Sequence, residues 1–111
     1  MQIKTRTQAN TVIIELAGEI DLDSSPEVRK TILNETQRKH PRLIIDLTGV
    51  SYMDSSGIAT LVEGLQYANQ YQGQFLIAGI GPGVREVFEL SRLDKVFKIY
   101  ENINQALEQI A

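Results

Sequence analysis

Two short segments, Leu43–Leu47 and Phe75–Ala78, carry almost nothing but apolar side chains. A strand with one face in water alternates apolar and polar residues, so near-continuous apolar runs of this length belong where both faces of a sheet are covered. Between them, Ile58, Leu61, Val62, Leu65 and Ala68 recur at helical spacing, which predicts a helix from Ser55 or Ser56 to about Gln70. A buried strand, a helix and a second buried strand require a right-handed crossover and parallel pairing. The chain is thereby restricted to layered α/β folds.

The flanking segments fill in the layers. Gln2–Thr7 and Thr11–Ala17 read as a hairpin turning at Gln8-Ala9-Asn10, with Val12, Ile14 and Leu16 on one face. Gly18 to Asp23 reads as a loop holding Ile20, Leu22, Asp21 and Asp23. Ser25-Pro26-Glu27 predicts a helix start with Ser25 as cap, running to Arg38 or Lys39 with Val28, Ile32 and Leu33 inward. Thr48 to Met53 reads as the loop after the first buried strand, and Gly73 as the end of the following helix. Beyond Gly79-Ile80-Gly81-Pro82-Gly83 a helix is expected to bury Val84, Val87, Phe88 and Leu90. Val96–Tyr100 reads as a last strand, and Asn102 as the cap of a terminal helix carrying Ile103, Ala106, Leu107 and Ile110. The order β-β-α-β-α-β-α-β-α predicts one domain over residues 1–111, with a mixed, mostly parallel sheet of about five strands, an N-terminal hairpin and four helices.

Composition narrows the function classes. The 111 residues, 42% hydrophobic, suffice for a single packed core. Without cysteine there is no disulfide, thiol nucleophile or cysteine-ligated metal. No apolar run approaches the ~20 residues of a membrane span, and Met1 to Arg6 lacks the apolar core of a signal peptide, so a cytoplasmic location without membrane insertion is expected. The net charge of -3 with interspersed signs offers no basic stripe, and 6% aromatic content few stacking platforms, which argues against direct nucleic-acid binding.

Asp54-Ser55-Ser56-Gly57, at the junction of the first buried strand and its helix, is the one stretch richer than its local role demands. Ser and Asp side chains accept bonds from the free N–H groups of a helix's first turn, so one of them would serve as cap. Three candidates followed by a glycine, which costs about 1 kcal/mol against alanine in a helix, suggest close approach at this turn. Other candidates have plainer readings. Gly79–Gly83 lacks the lysine and spacing of a P-loop and suits a turn feeding Pro82 into a helix. His40 sits at a helix end, where a surface histidine suits the dipole.

Three separated motifs carry a resemblance. Gly18-Glu19-Ile20-Asp21, Leu43 to Val50, and Tyr52-Met53-Asp54-Ser55-Ser56-Gly57-Ile58 together resemble the STAS domain in its anti-sigma-factor antagonist form, with further similarity at Val84 to Phe88 and Leu93 to Ile99. The resemblance implies a cytosolic switch protein without cofactor, catalytic residue or metal. It implies as partners an anti-sigma factor with a GHKL-type serine kinase fold, which phosphorylates the serine after the motif aspartate, and a metal-dependent serine phosphatase that resets it. On this sequence the phosphoacceptor is Ser55, and the partner-binding positions are Asp21, Asp54, Ser56, Gly57 and Ile58. The small residue common after the helix start in that family is here Ala59.

Other readings compete. STAS domains also serve as subunits of lipid-transport ABC complexes and as stressosome-type scaffolds. Asp21-Leu22-Asp23-Ser24 superficially resembles the acid pair of a small magnesium-dependent phosphohydrolase, a class that also needs a later lysine and acids on a larger sheet. A serine hydrolase lacks the glycines that flank a nucleophile elbow, and His40 is its only possible histidine base.

Overall fold

The second strand joins the antiparallel and parallel parts of the sheet, so its neighbours set the architecture. In the computed structural model, which describes residues 1–108, β2 (Thr11–Ile20) pairs antiparallel with β1 (Gln2–Gln8) and parallel with β3 (Arg42–Met53). β4 (Gln74–Ala78) and β5 (Lys98–Tyr100) continue in parallel, giving a five-stranded sheet in the order β1-β2-β3-β4-β5. The crossovers are α1 (Ser25–Gln37), α2 (Ser55–Gln70) and α3 (Pro82–Leu90), and α4 (Ile103–Glu108) follows β5. This is the expected mixed α/β fold. Ala9 and Asn10, both at positive φ, make the two-residue hairpin turn whose twist matches that of the strands. The inward position expected for Ile110 lies outside the described residues.

Alternate residues of the central strands serve two cores. Val12, Ile14, Leu43, Ile45, Phe75 and Ile77 face Val28 and Ile32 of α1, Leu61 and Ala68 of α2, and Val84 and Phe88 of α3. Ile13, Ile44, Leu76 and Ala78 face the opposite way, onto Ala106 of α4. Both faces of β3 and β4 are thus covered, which is why their sequences are apolar throughout.

Several boundaries differ from the sequence reading. β2 continues through Gly18-Glu19-Ile20, and β3 through Thr48 to Met53, where loops were expected. The two extensions pair with each other, Gly18 with Val50 and Ile20 with Met53, across two register shifts that insert extra residues into β3. On α2 the deepest residues are Gly57, Thr60, Leu61, Gly64 and Ala68, while Ile58, Val62 and Leu65 pack at the margin. Leu33 and Val87 are likewise only partly buried. Leu90, expected inward, is 79% exposed because α3 ends there and its last turn clears the sheet. The last strand begins at Lys98 rather than Val96, since a 3-10 turn over Leu93–Lys95 precedes it and drives Phe97 between Phe75 and Phe88.

Candidate functional site

The extended ends of β2 and β3 deliver two polar turns side by side. The backbone N–H of Asp54 donates to the carbonyl of Ile20 at 3.1 Å, so the turn into α2 is laced to the start of the turn into α1. Asp54 is the N-cap of α2: its Oδ1 accepts from the backbone N–H of Ser56 at 2.9 Å and of Gly57 at 3.3 Å, and from the Ser56 hydroxyl at 2.5 Å. The hydroxyl bond from Ser56, with the two backbone bonds, holds the Asp54 carboxyl below the usual carboxylate range despite partial burial.

The two serines of the motif are used differently. Ser56 gives its proton to Asp54, its oxygen lies 2.9 Å from the Ser25 hydroxyl, and its carbonyl accepts from Thr60 at 2.9 Å. Ser25 shares its single proton between Ser56 and the Asp21 carbonyl, 2.6 Å away. Ser55 is exposed at the first position of α2 and bonds through its hydroxyl to no described residue. The structure thus leaves one nucleophilic oxygen of the motif presented to solvent.

The acidic turn is also ordered from within. Asp21 Oδ1 accepts from the N–H groups of Asp23 and Ser24, both at 3.0 Å, and the Ser24 hydroxyl donates to the Glu19 carbonyl at 2.7 Å. Ser24, not Ser25, takes the N-cap position of α1, without a side-chain cap bond, because its hydroxyl is spent on the turn. Ser25 instead turns inward to bridge the two helix starts. Its role escaped the sequence because its partner lies 31 positions away, and only topology brings them together. Asp21 and Asp23 join no group of three or more metal-capable side chains among the described residues.

Gly57 faces the core. A Cβ there would lie 2.6 Å from Met53 Cγ and 2.7 Å from Ile20 Cγ2, so the close approach that its glycine signals is that of the protein's own sheet. Ile58 is half-buried beside it. Of the expected contact positions, Asp21, Asp54 and Ser56 therefore gather around Ser55 at the surface, while Gly57 and Ile58 position the helix that carries them.

The family model for the STAS domain matches residues 2–106. The chain belongs to the STAS family. Among relatives of this STAS domain, an anti-sigma F factor antagonist of Paenibacillus polymyxa is 28% identical over 111 residues, covering 99% of this chain and 95% of that protein. An anti-sigma-B factor antagonist of Staphylococcus aureus is 28% identical over 101 residues, covering 91% and 94%. The structure of an anti-sigma factor antagonist from Mycobacterium paratuberculosis superposes with a TM-score of 0.91 at 26% identity, over 97% of this chain and 92% of that one. No helix among the described residues is long and apolar enough to cross a membrane.

Proposed function

We propose that this STAS domain is an anti-sigma-factor antagonist that switches partners by phosphorylation of Ser55. The unmodified protein holds an anti-sigma factor with a GHKL-type serine kinase fold in the cytoplasm and so releases a sigma factor. The kinase transfers phosphate from ATP to Ser55, and a metal-dependent serine phosphatase removes it. The observation that carries this reading is the division of labour at the turn: Asp54 and Ser56 are bound to each other, and Ser55 alone is exposed. The named antagonists that the chain resembles over nearly its whole length support it.

The electrostatics explain how such a modification would act. A phosphate adds roughly -1.5 to -2 charges. A bare helix start would welcome it, but here Asp54 already accepts from the first free N–H groups. The phosphate would therefore stay at the surface, next to the Asp54 carboxylate and the acidic Asp21 turn. Residues 7–28 and 43–84 contain no Lys or Arg, and Arg29, the nearest cation on α1, is paired with Glu63 at 2.7 Å. A partner surface fitted to a neutral hydroxyl would have to desolvate an uncompensated anion, while the interior bonds of the fold are untouched.

Incubation with the cognate kinase and ATP, followed by mass spectrometry, is expected to place a single phosphate on Ser55 and none on a Ser55→Ala variant. Calorimetric titration of the purified phosphoprotein should then show at least tenfold weaker binding to the anti-sigma factor, about 1.4 kcal/mol, with circular dichroism unchanged. Equal affinity of the two forms would refute the switch even with Ser55 confirmed as acceptor.

A further inference from the structure

The second face of the sheet is only partly covered. α4 packs over Ile13, Ile44, Leu76 and Ala78, and beside that patch the strands carry a row of charged residues. Lys4 of β1 is opposite Glu15 of β2, and Glu15 is opposite Asp46 of β3. Like charges directly opposed, such as Glu15 and Asp46, weaken a sheet unless a cation answers them. Glu15 has one in Arg6, whose Nε lies 2.8 Å away. Asp46 has none among the described residues, although it is only 8% exposed and a charge buried that far is costly without a partner. Lys4, two strand spacings or roughly 10 Å from Asp46 along the sheet, likewise pairs with no described carboxylate.

The carboxylate of Asp46 is half committed. Its Oδ1 accepts from the Thr48 N–H at 3.0 Å and from the Thr48 hydroxyl at 2.6 Å, while its Oδ2 bonds to no described group. Asp46 and Lys4 line one pocket of about 250 Å³, whose wall includes the small residues Ala17 and Gly49. We propose that this pocket binds a small zwitterion, an ω-amino acid, whose ammonium group donates to Asp46 and whose carboxylate meets Lys4. The volume is below the roughly 300 Å³ at which sites for drug-sized ligands begin. An amine alone would answer Asp46 and be repelled by Lys4, and a carboxylate alone would answer Lys4 and be repelled by Asp46. A molecule carrying both charges several ångströms apart satisfies the two together. Asp46 and Glu15 join no group of three or more metal-capable side chains among the described residues, so the carboxylates do not make a metal site. The pocket shares no residue with the Ser55 turn, and the proposal does not depend on the switch.

The test titrates the isotope-labelled full chain with three probes that share a skeleton and differ in charge: γ-aminobutyrate, butylamine and butyrate. In amide NMR spectra γ-aminobutyrate is expected to shift Lys4, Glu15, Ala17, Thr48 and Gly49 saturably, with roughly millimolar affinity, while butylamine binds at least threefold more weakly and butyrate does not saturate. Lys4→Met, at an exposed position of β1, should keep the melting temperature, weaken γ-aminobutyrate at least threefold and leave butylamine no weaker than before. Asp46→Asn, which keeps an acceptor for Thr48, should weaken both amines at least tenfold. No saturable shift with γ-aminobutyrate up to roughly 50 mM, or saturable shifts confined to residues away from the pocket, would overturn the proposal. So would butylamine binding as tightly as γ-aminobutyrate, or Lys4→Met binding γ-aminobutyrate like the native chain, since either would mean that the pocket does not read both charges.

Discussion

The turn from β3 into α2 and the turn from β4 into α3 stand at the same end of the sheet and do the same topological work. In the first, Asp54 caps the helix through its side chain and Ser56 is bonded to Asp54 and Ser25. In the second, Gly81 is the N-cap with no side-chain bond, and Pro82 opens the helix. Gly79 sits at φ +76, where a Cβ would collide with the Thr48 hydroxyl, and Ile80 packs on the core, so this turn is built from glycine and an apolar contact. A β-to-α turn in this sheet thus needs no polar side chains, and the polar richness of residues 54–56 answers a different demand. That contrast is the structural reason to place the proposed switch at the first turn.

The comparison assumes that both turns hang from one rigid sheet, and Ile45 tests it most severely. Ile45 is fully buried between β2 and β4, paired with Ile14 and Ile77. Ile45→Asp would place a charge without a counterion in that core and is expected to cost on the order of 4 kcal/mol or more, a large share of the roughly 5–15 kcal/mol that holds a small domain folded. Chemical denaturation of a soluble Ile45→Asp variant with near-native midpoint would show that the sheet does not support the two turns as described.

A milder substitution probes the first turn alone. Gly57→Ala adds a methyl 2.6 Å from Met53 Cγ and 2.7 Å from Ile20 Cγ2, neither of which is a freely moving side-chain end. Alanine favours a helix by about 1 kcal/mol over glycine, and overpacking costs about 1–3 kcal/mol, so a net loss of about 1 kcal/mol is expected. The corresponding change at Gly81, whose Cβ position has no neighbour within 4 Å, meets no clash and should cost only the roughly 0.5 kcal/mol by which glycine outranks alanine at an N-cap. Equal melting temperatures for Gly57→Ala and the native protein would mean that α2 does not sit so close to the sheet.

The unequal legibility of the two turns has the same origin. Leu43–Leu47 and Phe75–Ala78 announced themselves because full burial removes polar residues, and the helices because a core-facing stripe repeats with their own period. The far half of β3 did not: its buried Leu47, Val50 and Met53 fall every third residue, since the register shifts insert extra residues, and that spacing fits neither strand nor loop. The motif marked Ser55 through its resemblance alone, and the sequence offered Asp54 as one of three candidate caps without choosing among them. The packing of Gly57 onto Ile20 and Met53 could not, because a glycine reports that something is near without saying what.

The caps themselves can be exchanged. Asp54→Ala removes the side chain that accepts from the N–H groups of Ser56 and Gly57 and is expected to lower the melting temperature by several degrees. Gly81→Asp supplies α3 with a cap it lacks, at an extended backbone position that tolerates a side chain, and is expected to raise it by a degree or more. Differential scanning calorimetry of both variants checks the pair. A drop for Gly81→Asp as large as that for Asp54→Ala would show that the second turn is not an uncapped counterpart of the first.

The smallest effect expected is one of pH. Asp54 titrates below the usual carboxylate range when folded, chiefly through the Ser56 hydroxyl and then through the backbone bonds at Gly57 and Ser56. A depressed folded value means that its contribution is complete above the unfolded value of about 3.9 and fades as pH falls through the folded one. An Asp54→Asn variant would still cap the helix, since asparagine accepts as well as aspartate does, but it carries no charge to lose. Its melting temperature should lie slightly below that of the native protein at neutral pH, and the gap should close as both are acidified from about pH 5 toward pH 2. Parallel thermal melts across that range decide it. A gap that stays constant would mean that the charge of Asp54 adds nothing to the turn, leaving its geometry as the only distinction from Gly81.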